Sequence, residues 1–380
     1  MTISCGMITR CYDLAKELQP GKVLLLTGAR QVGKTTLLRD FLRKTSLKYK
    51  LDSGDNIRIQ DLLGSRDFER ILPYAEGYEL IALDEAQNVP NIGTALKILV
   101  DERPDLRIIA TGSASFELAR QVGEPLTGRK KTRHLFPVSQ MEMLNSLNRH
   151  ELRERLNSFL IYGAYPEVVT TDSLQEKQNL LNEQVDSYLL KDILSLEKVK
   201  SPRTLLDLLK LLAFQIGKEV SLNELAAQLH IDVKTVGRYL DLLEKSYVLL
   251  RATGFSRNLR SEVTSKHRYY FADNGVRNAV ISRFNPLDER DDVGALWENF
   301  IIVERQKHLT YTGTPLPLYF WRTYTQKEID WVEDRDGKIF GYECKWSPKK
   351  KVRAPKEWTQ AYPKAEFTTV TPENGYDLIL

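Results

Sequence analysis

The stretch KVLLLTGARQVGKTTLL, residues 22–38, restricts the fold of this chain more than any other. It sets Gly28, Gly33, Lys34 and Thr35 in the spacing G-x-x-x-x-G-K-[ST], the phosphate-cradling P-loop pattern. The apolar run 23–26 before it reads as a buried strand, and TLLRDFL from Thr36 onward reads as a helix. A strand, a glycine-rich turn and a helix N-terminus make an anion site, because backbone N–H groups and the positive end of the helix dipole face one point. The expected nucleotide-binding loop is therefore Gly28, Ala29, Arg30, Gln31, Val32, Gly33, Lys34, Thr35 and Thr36. Lys34 serves the outer phosphates of ATP, and the Thr35 hydroxyl ligands Mg2+.

A second apolar run, ELIALDE at 79–85, ends in two carboxylates, as expected of a parallel strand that delivers them to a ligand at its C-terminal end. Beside a P-loop, Asp84 holds Mg2+ and Glu85 polarises the attacking water. The plainer reading is an acidic pair that caps the next helix. RIIATGS at 107–113 reads as another strand, with Thr111 and Ser113 toward the γ-phosphate or water. In the basic stretch 128–137, Arg129 is a candidate arginine finger or γ-phosphate sensor, against the alternative of a solvated basic loop. Ahead of the P-loop, residues 10–19 have helical spacing and break at Pro20-Gly21.

At 380 residues the chain has room for two or three domains. A net charge of +4 is too weak to imply a nucleic-acid partner unless the cations cluster locally. Three cysteines, Cys5, Cys11 and Cys344, lack metal-ligand spacing and suggest no disulfide framework. No run approaches the roughly 18 apolar residues of a membrane span, so no membrane partner and a cytoplasmic location are expected.

Taken together, GARQVGKTTLL, LDEAQ, ATGSAS, LTGR followed by FPVSQMEM, and YGAYPEVV at 162–169 resemble a family of prokaryotic ATP-binding proteins. Its members join an AAA-type ATPase domain to a C-terminal domain of unknown function. The resemblance spans nearly the whole chain and implies an ASCE-type parallel sheet with Gly28, Gly33, Lys34 and Thr35 beside Asp84 and Glu85.

Residues 158–193 read as helical, interrupted at Gly163-Ala164-Tyr165-Pro166, and a new helix starts at Ser201-Pro202 and ends at Gly217. SLNELAAQL at 221–229 and DVKTVGRYLDLLEK at 232–245 then match a helix-turn-helix, with Ser221 and Glu224 as a capping box. The second helix offers Lys234, Thr235, Arg238 and Tyr239, and a wing offers Arg257, Arg260, Lys266 and Arg268. Nucleic-acid contact is one reading and a packing lid is the other.

Beyond Asn285-Pro286, an amphipathic helix at 295–307 precedes three strands, LYFWR, EIDWVE and IFGYECKW, the last two separated by the hairpin turn Asp336-Gly337. Residues two apart on a strand share a face, so Glu343 and Lys345 are expected to project together toward Asp330. This is the arrangement of PD-(D/E)XK nucleases, and WENF, YFWR, EIDWV and ECK extend the resemblance, although Ile329 replaces the proline before the first Asp. Glu298, Asp330, Glu343 and the Cys344 carbonyl are the expected ligands of Mg2+ or Mn2+, and Lys345 activates water. Lys349, Lys350 and Lys351 follow as nucleic-acid contacts.

The expected architecture is α/β: a P-loop domain at 1–145, a helical lid at 146–200, a winged helix at 201–284 and a restriction-endonuclease-like domain at 285–380. The expected catalytic set is Lys34 and Glu85 for ATP, and Asp330, Glu343 and Lys345 for a phosphodiester. The leading expectation is an ATPase that controls a metal-dependent nuclease acting on DNA rather than RNA. The alternatives are an ATP-driven binding switch with an inactive nuclease-like domain, and a DNA-binding regulator using the winged helix. An Arg129 finger between copies would require a homo-oligomer.

Overall fold

The computed structural model describes residues 8–112, 126–189, 201–256, 266–347, 349 and 352–380. They form two compact units, one of residues 10–136 with 245–247 and one of residues 137–244 and 248–380 with the N-terminal segment up to Thr9.

The first unit is built on a parallel sheet ordered β2-β3-β4-β1-β5. Its strands are β1 (Val23–Thr27), β2 (Tyr49–Ser53), β3 (Leu80–Asp84), β4 (Arg107–Gly112) and β5 (Lys130–His134). Every residue of VLLLT in β1 is buried, as a central parallel strand requires, while edge strand β2 is half exposed. Helix α1 (Lys34–Lys44) starts directly at the P-loop, and α2 (Ile92–Glu102) packs Leu96 and Leu99 into the core with Ile81, Ile108 and Ala110. Of the helix expected at 10–19 only one turn forms, Leu14–Glu17. Residues before it are tied by side chains instead: Arg10 donates to the carbonyls of Val32 and Phe136, and Tyr12 to that of His134 at 3.1 Å.

The second unit carries a mixed seven-stranded sheet ordered β12-β11-β10-β9-β7-β8-β6. The strands are β6 (Glu219–Val220), β7 (Leu249–Gly254), β8 (His267–Phe271), β9 (Tyr319–Arg322), β10 (Glu328–Arg335), β11 (Lys338–Cys344) and β12 (Glu366–Val370). The expected boundary at 285 therefore does not separate two compact bodies. Pairing of β7 with β9, Thr253 with Tyr319 and Gly254 with Phe320, covers the strand edge that a free-standing winged helix would expose. By compactness, the described residues after Phe136 group with this second unit, apart from 245–247.

Three helices form as the sequence predicts: α3 (Pro202–Phe214), α4 (Leu222–Leu229) and α5 (Val233–Lys245). Ser221 caps α4 by accepting from Glu224 N, and His230 makes the turn with a left-handed φ of 53°. Helix α6 (Val293–Tyr311) buries Trp297, Phe300 and Ile301 against Tyr270, Phe320, Trp331 and Tyr342 of the sheet. Asp336 and Gly337 both have positive φ, the backbone of a two-residue hairpin turn, between β10 and β11.

Candidate functional site

At the C-terminal end of β1, Gly28 has φ 155°, and a Cβ there would stand 2.2 Å from the Leu135 carbonyl oxygen. Gly33, with φ 94°, precedes α1 without a capping side chain, so the first N–H groups of the helix are not taken by a side-chain cap. Lys34 is buried, and its ammonium donates to the carbonyls of Gly28 (3.0 Å) and Ala29 (2.7 Å). The Thr35 hydroxyl donates to Asp84 Oδ2 at 2.8 Å. Thr111 donates to the other oxygen of Asp84 and accepts from Glu85 N at 3.2 Å. Glu85 has a left-handed φ of 49°, and its carboxylate accepts from Gln87 Nε2 at 2.5 Å. The fold thus brings Lys34, Thr35, Asp84 and Glu85 together. A hydroxyl and a carboxylate in contact at a helix start are hard oxygen donors, which suit Mg2+.

Thr111 stays beside the P-loop carboxylate, while Arg129 lies away from it. Thr111 is fully buried on Asp84 and does not face solvent. Arg129 sits at the far end of the sheet: its carbonyl accepts from Val23 N, at the start of β1, and its guanidinium pairs with Asp101 at 2.5 Å. Five residues of strand, about 13–17 Å, separate it from the P-loop of its own unit. Arg133 and Lys131 likewise share Glu17. Ser113 lies outside the described residues. Sequence reasoning gave no role to Gln87, although it closes LDEAQ, nor to Arg10, which falls in no motif.

On α5, Lys234 and Arg238 are exposed, whereas Tyr239 is buried in the core. Thr235 is engaged in the helix start, its N–H and hydroxyl both donating to Asp232 at 2.8 and 2.6 Å. Lys266 pairs with Glu219. Arg257, Arg260, Lys350 and Lys351 lie outside the described residues, and Lys349 is exposed.

The C-terminal carboxylates form a charged cluster with an occupant absent from the sequence reading. Arg268, expected on the basic wing, is only 2% exposed and reaches Glu328 at 2.6 Å and Asp330 at 3.8 Å. Burying a guanidinium without counter-charges is prohibitive, so the carboxylates draw it inward. The register of Trp331 opposite Tyr342, continued by one residue, sets Asp330 opposite Glu343, and a bulge on the other side of β10 lies between Ile329 and Val332. Asp330 Oδ2 accepts from Cys344 N at 2.8 Å, Glu343 accepts from Lys345 at 2.7 Å, and Glu298 accepts from the Tyr270 hydroxyl at 2.8 Å. Burial, reinforced by the charge of Asp330, pushes Glu343 up to about 7 against the pull of Lys345. Burial and Asp330 also raise Glu298. Among the described residues no three His, Cys, Asp or Glu side chains are gathered to hold a metal ion. The expected set of Glu298, Asp330 and Glu343 is near enough to interact electrostatically but does not fit a metal, because the buried Arg268 guanidinium already stands 3.8 Å from Asp330 Oδ1 and would repel a cation there.

Residues 20–144 match the family model described as an AAA domain. The first unit is an AAA-type ATP-binding domain. Residues 153–287 and 293–378 match two further models, each described as a domain of unknown function. The chain is 28% identical over 350 residues to an uncharacterized protein of Mycobacterium tuberculosis, covering 90% of this chain and 75% of the relative. An uncharacterized protein of Haemophilus influenzae is 25% identical over 306 residues, covering 74% and 75%. Among solved structures, replication initiator DnaA bound to AMPPCP and single-stranded DNA is similar at TM-score 0.32 and 15% identity, covering 64% of this chain and 91% of that one. Among the described residues no helix is long and apolar enough to cross a membrane.

Proposed function

We propose that this AAA-type protein is an ATP-hydrolysing switch whose nucleotide state sets nucleic-acid binding by the helix-turn-helix, with a C-terminal nuclease-like part that does not cleave. The observation that carries it is Asp84, held by Thr35 and Thr111 directly beside the P-loop lysine. A magnesium ion bound with the nucleotide supplies charge neutralisation at the phosphates, and Thr35 and Asp84 are the residues that would hold it. Lys34 leaves the Gly28 and Ala29 carbonyls for the outer phosphates. Glu85, oriented by Gln87, takes the proton of the attacking water. Lys34→Ala should abolish ATP turnover, and unchanged turnover sinks the reading.

Nucleic-acid contact is supported by the exposed Lys234 and Arg238 on the second helix of the helix-turn-helix, which suits DNA better than RNA. A second reading, metal-dependent cleavage of DNA, is favoured by the order Glu298, Asp330, hairpin and Glu343-x-Lys345. Plasmid nicking in Mg2+ or Mn2+ that disappears in both Asp330→Ala and Lys345→Ala would put it first.

A further inference from the structure

Arg268 lies on β8, three strand steps from Asp330 on β10, about 14 Å between strand axes. Three features let its side chain cross the sheet. The residue opposite it on β7 is Ala252, small and fully buried, which leaves the face open. The next strand, β9, offers the ring of Phe320, whose centroid is 4.5 Å from the guanidinium carbon. Beyond it stand Glu328 at 2.6 Å and Asp330 at 3.8 Å. Gly217 makes room on the opposite flank, since a Cβ there would stand 2.7 Å from Glu298 Oε1. Arg268 Nε and Glu343 Oε2 are both buried without a partner.

We propose that Arg268 is the resident cation of the C-terminal carboxylate cluster: the guanidinium occupies, from within the chain, the electrostatic role that a divalent ion would otherwise fill, and removing it creates a divalent-cation site. A guanidinium stays charged at every physiological pH and cannot dissociate from the chain, so together with Lys345 on Glu343 it gives the carboxylates a permanent counter-charge. A divalent ion brought to Asp330 beside it meets direct repulsion. The same side chain ties β8 to β10 within the sheet that β7 and β9 join. This goes beyond the switch reading and does not depend on nucleic-acid binding.

The test counts Mn2+ ions bound to the nucleotide-free full chain by electron paramagnetic resonance. Wild type, Asp330→Asn and Glu343→Gln should bind the same number. Arg268→Met should bind one more, at least tenfold tighter than any wild-type site, and Arg268→Met with Asp330→Asn should lose it. Loss of an ion in Asp330→Asn alone overturns the proposal, as does an Arg268→Met chain that retains ATP binding and its thermal transition yet gains none. If Arg268→Met does not fold, Arg268→Gln, which removes the charge and keeps a polar side chain, is read in its place against the same two outcomes. Mn2+ binding is read without nucleic acid, so failure here leaves the switch reading standing.

Discussion

The Thr35 hydroxyl donates to Asp84 Oδ2 at 2.8 Å, joining the start of α1 to the end of β3. Two residues 49 positions apart thereby place a hydroxyl and a carboxylate where a nucleotide-bound cation is expected. Thr35→Ala and Asp84→Asn should each lower kcat for ATP by about 10²–10³, the usual cost of deleting one electrostatic element of a preorganised site. Thr35→Ser, which keeps the hydroxyl, should lose less than tenfold. Steady-state phosphate release measures all three.

Gln87 holds the Glu85 carboxylate at 2.5 Å. Gln87→Ala should lower kcat about tenfold with KM nearly unchanged, because orientation of a base matters in the transition state and not in ATP binding. A rise in KM alone would assign Gln87 to binding.

Asp292 serves three arginines, Arg277 at 2.5 Å, Arg290 at 2.8 Å and the more exposed Arg283 at 3.8 Å. Burial alone would push its carboxyl up, but hydrogen bonds from Arg290 and the charge of Arg277 outweigh this and hold it well below the usual range. The stabilisation is therefore fully present above the unfolded value near 4 and is lost as pH falls through the lower folded value. Asp292→Asn leaves two buried guanidinium groups short of a counter-charge and should cost about 3 kcal/mol at pH 7. It should also flatten the acid limb of a denaturation series between about pH 4 and pH 2.

Gly163 has φ 70°, and a Cβ there would stand 1.9 Å from Asp273 Oδ1, whose carboxylate also accepts from Ala164 N. Gly163→Ala should cost about 3 kcal/mol or more by clash and strain. Gly337→Ala, at φ 76° in open space, should cost only about 1 kcal/mol. Denaturant midpoints compare the pair.

The P-loop, its strand and its helix were legible because their chemistry is local: glycines, a lysine and an apolar run within 17 residues. Helices α4 and α5 were legible for the same reason, through Ser221 and the 3.6-residue spacing of apolar side chains. The joined sheet was not, since Thr253 and Tyr319 are 66 residues apart and no local pattern names a parallel partner. Arg268 was misread as a wing cation because its neighbours in sequence are basic, while its neighbours in space, Ala252, Phe320, Glu328 and Asp330, come from three other strands. Arg129 lies at the end of β1 away from the P-loop of its own unit, a placement that only strand direction reveals, so a finger role for it would require a second copy.

On α5, Lys234 and Arg238 are expected to meet phosphates or base edges. Lys234→Ala and Arg238→Ala should each weaken duplex binding and lower the slope of log affinity against log salt by about 1. Unchanged slopes would remove α5 from the interface.

The most direct measurement of the central claim is the affinity of the full chain for a labelled duplex at fixed salt, by fluorescence anisotropy, without nucleotide and with a non-hydrolysable ATP analogue. The account predicts dissociation constants that differ by about tenfold or more between the two states, a difference absent in Lys34→Ala. Equal affinity in both states, or no binding in either, would contradict it.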